Sequence, residues 1–408
     1  SKRCRERSWQ LWKRRLGACC VDNVALRRAG AQIARVQLSF AALSADNPVK
    51  RLPRSPRRPR PAGFWTAFED RALYYDAFRA ENGRDVLLVG PTPLNLRAGL
   101  EAARYSALPS GAALGAELFP SRSTMLTRLA DVPDDASAVR VEAFGEIFDL
   151  AIQPNFSASL SGARILFTIN KNNRLEWVAD WANWHASLHG TDTVILFDNG
   201  STEYTIDKLE ATLAAVEGLK TVIVIDVPHK FGPIDTSVLV TKFYPRFLQI
   251  SMTNLALRRF GMRAEGLLDC DIDELAWAGG QSAYERAELS ALGVVRMRGR
   301  WIEATRAPDA PARHHAFRHR LADFRHRLSP SKWVLDPRRE WVRSLEVHPY
   351  LHRIHGAPPA ARKHDDKTVF FHFKGINTNW KEERTTIKGV DIEALVEDED
   401  LQAARQTL

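Results

Sequence analysis

The chain has 408 residues, 45% of them hydrophobic, and a net charge of +9, enough for two or three domains with cores of their own. No apolar run approaches the roughly 18 residues that a membrane-spanning helix requires, and the start does not resemble a secretory signal. Cys4, Cys19, Cys20 and Cys270 show neither metal-ligand spacing nor a disulfide framework, which excludes zinc-stapled and cystine-rich classes and suits a reducing cytoplasm.

The basicity is local. Residues 1–62 hold 16 Lys or Arg against 3 Asp or Glu, so the +9 of the whole chain becomes −4 over the remainder. Residues 1–48 are expected to form one or two helices, with Trp9, Trp12 and Leu16 among Lys13, Arg14, Arg15, Arg27 and Arg28. Such a basic amphipathic pattern suits peripheral contact with an anionic membrane surface. Residues 49–62 carry Arg51, Arg54, Arg57, Arg58 and Arg60 among four prolines. They are expected to be an extended linker. A nucleic acid or other polyanion bound through this arm is the second reading of the charge.

Residues 63–160 form an expected small module containing strands. Asp85–Gly90 is a strand stopped by Pro91-Thr92-Pro93, and Val139–Ile152 alternates as a hairpin around Gly145. From residue 161 to 408 the pattern becomes regular. Arg164–Ile169 is a short buried strand, and Trp177, Trp181, Trp184 and Leu188 then mark one face of a helix. The strand Thr193–Phe197 ends in Asp198-Asn199-Gly200-Ser201-Thr202, and a helix over Lys208–Val216 leads to the strand Thr221–Val227. After Pro245 an apolar stripe of Leu248, Met252 and Leu255 precedes Gly261. Strands that are continuously apolar and alternate with helices imply a mostly parallel sheet with helices on both faces, an α/β fold.

The next strand, opening at Gly266, runs into Asp269, Asp271, Asp273 and Glu274. So many anions at a strand end disfavour full ionisation unless a cation compensates. A hard divalent ion, Mn²⁺ or Mg²⁺, takes one or two carboxylates and fills its shell with water and phosphate oxygens, which points to a diphosphate substrate. Asp269 lies two residues before Asp271, on the same side of an extended strand, and competes as a ligand. Asp198, at another strand end, is expected to accept hydrogen bonds from a nucleotide, as strand-end acids do in nucleotide folds. Further on, Gly293–Ile302 and Thr368–Phe373 are expected strands around a basic, His-rich stretch, Arg306–Lys363, in which His314, His315, His319 and His326 show no zinc spacing.

Four ordered segments carry a resemblance: Thr168-Ile169-Asn170-Lys171-Asn172-Asn173, Leu175-Glu176-Trp177, Phe197-Asp198-Asn199-Gly200-Ser201-Thr202 and Cys270-Asp271-Ile272-Asp273-Glu274-Leu275. In order and spacing they resemble the glycosyltransferases of the GT-A fold, and most of all the family-2-like and family-92-like groups, with their T-x-x-K-N-E, L-x-E-W, D-N-x-S and D-x-D-E-F signature. Lys332, His348 and His372 are similar to the K, H and H that follow. Asn173 and Leu275 depart from the pattern, which has Glu and Phe there. The resemblance implies a GT-A (Rossmann-like) domain, a nucleotide-diphosphate sugar donor, a glycan or lipid-linked acceptor and a role in bacterial surface polysaccharide synthesis on the cytoplasmic side.

Carried over residue by residue, the resemblance has Asp273 bind the metal and Asp271 contact it or the ribose. His372 or His348 completes the shell, and Asn170, Lys171, Asp198 and Asn199 line the nucleotide pocket. Lys332 offsets phosphate charge. Inverting transfer requires a carboxylate base, and Glu303, after the strand ending Arg300-Trp301-Ile302, is the candidate. A GT-A fold that only binds glycan is the remaining alternative. The whole reading requires Asp198 and Asp273 to share one cleft.

Overall fold

Continuously apolar segments such as Thr193–Asp198, buried at every position, have no solvent face and therefore become interior strands. The computed structural model describes residues 31–238, 242–304, 312–323, 329–378 and 392–408. Among them, nine strands share one sheet: β1 Gln32–Val36, β2 Arg164–Asn170, β3 Thr193–Asp198, β4 Thr221–Asp226, β5 Gly266–Asp269, β6 Glu274–Trp277, β7 Val294–Ile302, β8 Ser329–Leu335 and β9 His364–Phe373. Their order is β1-β4-β3-β2-β5-β8-β7-β9-β6. The first five pair in parallel, while β8 runs antiparallel to both β5 and β7. Chain order therefore reverses between β2 and β5. That is the switch point at which open α/β sheets form a crevice beyond their carboxyl ends.

Helices cover both faces. On one, Trp177, Val178 and Trp181 of the helix Leu175–His189 pack with Leu209 and Leu213 of Ile206–Ala214 against Leu166, Leu196 and Val224. Two buried histidines lock the first of these helices to β6. His185 donates from Nδ1 to the Trp181 carbonyl (2.8 Å) and accepts from the Ala276 N–H at Nε2 (3.2 Å). His189 donates to the Ala276 carbonyl (2.9 Å) and accepts from the Ala283 N–H (3.1 Å). Both rings must be neutral to accept. Burial accordingly lowers the pKa of His185 to about 3 and that of His189 to about 4.

Unfolded histidine protonates near pH 6.5, so below that value the unfolded chain binds protons that the folded one refuses, and stability falls with pH. At pH 5 the loss is about 2 kcal/mol for each ring. Chemical denaturation at pH 7.5 and pH 5 should show this drop, and a double variant His185→Gln/His189→Gln should flatten it. An undiminished slope in that variant would assign the acid sensitivity elsewhere.

On the other face lies the helix Phe247–Leu255, buried at all nine positions. It is enclosed because a second layer covers it. The module folds as two antiparallel four-stranded sheets, and Phe78, Leu87, Val89 and Leu126 of one of them join Leu248, Met252 and Leu255 over Ile165, Phe167 and Ile195 in a single core. The two sheets pack on each other through Ala77, Val86 and Leu88 against Ala107, Val139 and Val141, with Ala41, Leu43 and Leu73 added from a flanking two-stranded sheet and its approach. The expected strand near Asp85 and the hairpin around Gly145 are present as Val86–Pro91 and as Ala138–Ala143 paired with Glu146–Ala151. Gly145 and Phe144, both at positive φ, make its two-residue turn.

Two expectations about the N-terminal arm are corrected. The helical reading of residues 1–48 falls largely outside the described residues, but inside them Gln32–Val36 is a strand, parallel to β4 from Gln32 opposite Thr221 to Val36 opposite Ile225. Arg35 on β1 bonds Glu210 at 2.8 Å and also pairs with Asp207. Residues 49–62 contain no helix or strand, but they turn at Ser55–Arg58 rather than running extended, and they are bound down rather than free. Arg51 is fully buried and donates to the carbonyls of Thr92 (2.9 Å), Glu69 (3.1 Å) and Ala72 (2.7 Å). Arg60 is buried against Asp235. Of the five arginines offered to a polyanion, these two are structural, because a guanidinium with several carbonyl or carboxylate partners is more favourably placed inside than one left unpaired. Among the described residues no helix is long and apolar enough to cross a membrane.

Candidate functional site

A cavity of about 570 Å³ opens at the switch point. Ile169, Lys171 and Asn173, at and beyond the end of β2, line it, as do Asp271 and Asp273, beyond β5, and Glu274, the first residue of β6. The acidic run turns sharply there because β5 ends at Asp269 and the chain re-enters the sheet as β6 at its far edge, paired with β9 from Glu274 opposite His372. That pairing is what brings a histidine about 100 residues downstream into the acidic run.

Asp273 Oδ2 lies 3.0 Å from His372 Nε2. Asp273, Glu274 and His372 each offer a ligand atom within 4.8 Å of the others. His372 Nδ1 sits 2.7 Å from Ser329 Oγ, which can accept its N–H and leave Nε2 with a lone pair for a metal, as the outer partner of a ligating histidine does. Ser329 reaches that position because β7 carries Gly299, where a Cβ would fall 2.5 Å from the Ser329 Cβ and 2.4 Å from the Phe370 ring. Trp301 stacks on the imidazole with ring centroids 3.9 Å apart. A carboxylate, a neutral imidazole and further carboxylate oxygens nearby form a donor set that fits a divalent ion.

Much of the charge compensation expected from a metal comes from within the chain. Lys332, fully buried, approaches Glu274 Oε2 at 3.0 Å, Asp271 Oδ2 at 3.3 Å and Asp269 Oδ1 at 3.5 Å. Burial pushes its pKa down, but the three carboxylates outweigh it and hold the ammonium form well above its ordinary range. Asp269 moves the other way: burial raises its pKa well above the carboxylate range, only partly opposed by Lys332. Its Oδ2 is buried without a partner. Asp269 is not on the cavity wall, where the metal-ligand candidates Asp271, Asp273 and Glu274 lie. One ammonium faces four acidic groups, Asp269, Asp271, Asp273 and Glu274, an excess of acids suited to a divalent cation. Glu274 also accepts from the Asp271 N–H (2.8 Å) and thereby shapes the turn that presents both aspartates.

The remaining expected residues separate into wall and support. Lys171 lines the cavity. Asn170, Asp198 and Asn199 do not; they are buried beneath it. Asp198 accepts from Asn170 Nδ2 (2.7 Å), Ser201 N (2.9 Å) and Ser201 Oγ (2.7 Å), while Asn170 Oδ1 accepts from Asn173 (3.0 Å). Asn199 donates to the carbonyls of Val227 (2.7 Å) and His229 (2.8 Å). Direct nucleotide contact by these three is thus corrected to a network that ties the loops after β2, β3 and β4 together. Asp198 and Asp273 belong to one carboxyl edge, with the cavity opening beside β2, but of the two only Asp273 lines that cavity.

Lys332 belongs to the acidic cluster rather than to the wall. Glu303 is buried, with both oxygens on Lys374 Nζ at 2.7 and 2.8 Å, and it does not line the cavity as a base would. Lys374 in turn lies 5.6 Å from the Trp301 ring centre, so this pair buttresses the tryptophan that stacks on His372. His348 is buried, with neither ring nitrogen partnered, and burial lowers its pKa to about 4. It too is absent from the wall. Its place is taken by His352, at the tip of the hairpin formed by His348–Tyr350 and Arg353–His355. His352 Nδ1 donates to the Ser331 carbonyl (2.8 Å), which leaves Nε2 unprotonated.

Sequence reasoning missed His352, Arg122, Arg296 and Trp301. Nothing in the local pattern distinguishes them: His352 is one of many His and Arg between Arg306 and Lys363, Arg122 sits in an ordinary turn, and Arg296 and Trp301 belong to a strand of mixed polarity. Glu274 was legible, as the acid that closes the D-x-D-E motif. No protein-family model matches this chain, and no curated protein is similar to it.

Proposed function

We propose that the chain is a metal-dependent glycosyltransferase of the GT-A type, which moves a sugar from a nucleotide-diphosphate donor to a glycan or lipid-linked acceptor. One observation carries this reading: a cavity of about 570 Å³ at the switch point of the sheet whose wall holds Asp271, Asp273 and His372 together. Its volume is within the range of small-molecule sites, and the ordered resemblance of the four motifs supports the same class.

Asp273 and His372 would hold Mn²⁺ or Mg²⁺, with Asp271 in reach of the ion or the ribose. An ion held there would supply neutralisation of the diphosphate leaving group; in the transfer the acceptor hydroxyl oxygen bonds the anomeric carbon, the bond to the diphosphate breaks, and the hydroxyl proton is released to solvent or to the leaving diphosphate. Everything else falls to the chain. Ser329 and Trp301 orient His372, Lys332 and Glu274 hold the aspartate turn, and the Asn170 and Asp198 network positions Lys171 and Asn173 against the nucleotide. Ile272, Ile376 and Trp301 give the wall apolar surface that excludes water around the diphosphate.

The test is a thermal-shift series with UDP, GDP, CDP and ADP, with and without Mn²⁺. A ligand that binds the folded state raises its stability by mass action, about 2.7 kcal/mol at a hundredfold excess over Kd. One nucleotide should stabilise the protein in the presence of Mn²⁺ and lose most of that effect in EDTA. Its sugar conjugate should then be hydrolysed or transferred, as followed by mass spectrometry. No shift with any nucleotide, and no turnover of any conjugate, would overturn the reading.

A further inference from the structure

The cavity wall carries charges of both signs. Its lining carboxylates, Asp271, Asp273 and Glu274, all belong to the metal end; besides Lys171 and Arg246, three further basic groups, Arg122, Arg296 and Arg353, also line the cavity. These arginines come from three separate parts of the chain. Arg122 sits on the turn between the module strands Ala116–Pro120 and Thr124–Leu129. Arg353 begins the second strand of the hairpin whose tip carries His352, and Arg296 is on β7. The turn and the hairpin are clasped by Tyr350, whose Oη accepts from the Ser123 N–H (2.8 Å) and bonds Ser121 Oγ (2.9 Å). The module therefore helps to build the cavity.

Among the described residues no carboxylate pairs with Arg122, Arg296 or Arg353. Arg296 donates from Nη1 to the Arg362 carbonyl (2.9 Å), and its Nε is buried without a partner. The group is crowded: burial and then Arg353 lower the pKa of Arg296, and burial followed by Arg353, Arg122 and Arg362 lowers that of the adjoining His355 to about 4. Like charges gathered without a counter-charge raise the energy of the empty site, and an anion relieves it. Along β7, Arg296 is five residues from Trp301, the residue stacked on His372, with a bulge between Met297 and Gly299.

We infer that Arg122, Arg296 and Arg353 form an anion subsite, which receives a phosphate monoester or carboxylate carried by the acceptor. The assignment to the acceptor rests on the transferase reading; the anion subsite rests on the arginines alone. Guanidinium forks match both groups in bidentate geometry.

The test is isothermal titration of the whole chain in EDTA with glucose 1-phosphate, glucuronate and glucose. At least one of the two anions should bind tenfold or more tightly than glucose, and comparing them separates phosphate from carboxylate as the preferred group. In Arg122→Gln/Arg353→Gln that preference should fall at least tenfold, while UDP, GDP, CDP or ADP with Mn²⁺ stabilises the protein as before. If this double variant does not fold, the single pair Arg353→Gln and Arg353→Lys, at an exposed hairpin position, replaces it, with affinity expected to drop in the first and to survive largely in the second. Equal affinity of the wild type for all three probes would overturn the inference, as would a preference that persists in the double or the Arg353→Gln variant. Anion binding without any nucleotide binding would support the subsite and defeat the transferase reading.

Discussion

Replacing Asp273 by Ala should reduce Mn²⁺-dependent nucleotide binding by at least about 100-fold. Partners that merely orient a metal ligand are typically worth about 10 to 100-fold, so a direct ligand should cost no less. Ser329→Ala supplies the comparison, because it removes only the hydroxyl 2.7 Å from His372 Nδ1 and should cost about tenfold. Asp273 keeps 21% of its side chain exposed, so losing its carboxylate should leave the melting temperature nearly unchanged. Titration calorimetry of the nucleotide at fixed Mn²⁺ for wild type, Ser329→Ala, His372→Ala and Asp273→Ala should give a graded series. Unaltered binding in Asp273→Ala would remove this residue from the metal site. Equal losses in all three variants, accompanied by lowered melting, would indicate collapse of the wall.

Lys332→Met should be the most destabilising single change at the site, by about 3–5 kcal/mol, because it leaves buried carboxylates without their cation. The loss should depend on pH in a defined direction. In the wild type the lysine's raised pKa makes its contribution constant through the neutral range, lost only as pH climbs above the ordinary lysine value. In the variant the unpaired acids dominate. Glu274 has its pKa raised by burial even when Lys332 is present, and without the lysine it rises further. An acid with a raised folded pKa binds a proton more readily folded than unfolded, so stability falls as pH rises from its unfolded value through its folded one. The penalty of Lys332→Met should therefore be smaller at pH 5 than at pH 7.5 in urea titrations. Adding Glu274→Gln should recover part of it. A penalty under 1 kcal/mol at pH 7.5, or one that grows on acidification, would show that the ammonium is not what holds the cluster.

Several elements were legible because their determinants are local. Trp177, Trp181, Trp184 and Leu188 recur at helical spacing, and the helix is Leu175–His189. The apolar runs at 164–169, 193–197 and 221–227 are all strands of the parallel half of the sheet. Gln32–Val36 was not legible: five residues of mixed polarity carry no period, and their conformation is set by pairing with β4 some 190 residues away. The prolines of residues 49–62 announced a chain without helix, but neither its turn at Ser55–Arg58 nor that Arg51 would find three carbonyls in the interior.

By itself the sequence determined the alternation of strand and helix, and hence an α/β sheet, together with a crowd of acids at the end of one strand. Both follow from side chains a few residues apart. Only the tertiary structure decided which groups share the cleft. Antiparallel pairing of β6 with β9 brings His372 to Asp273, β8 sends Lys332 under the acids, and a module turn delivers Arg122. Contacts between residues 58 to 227 positions apart depend on the order and register of strands in the sheet, and no local period encodes that order.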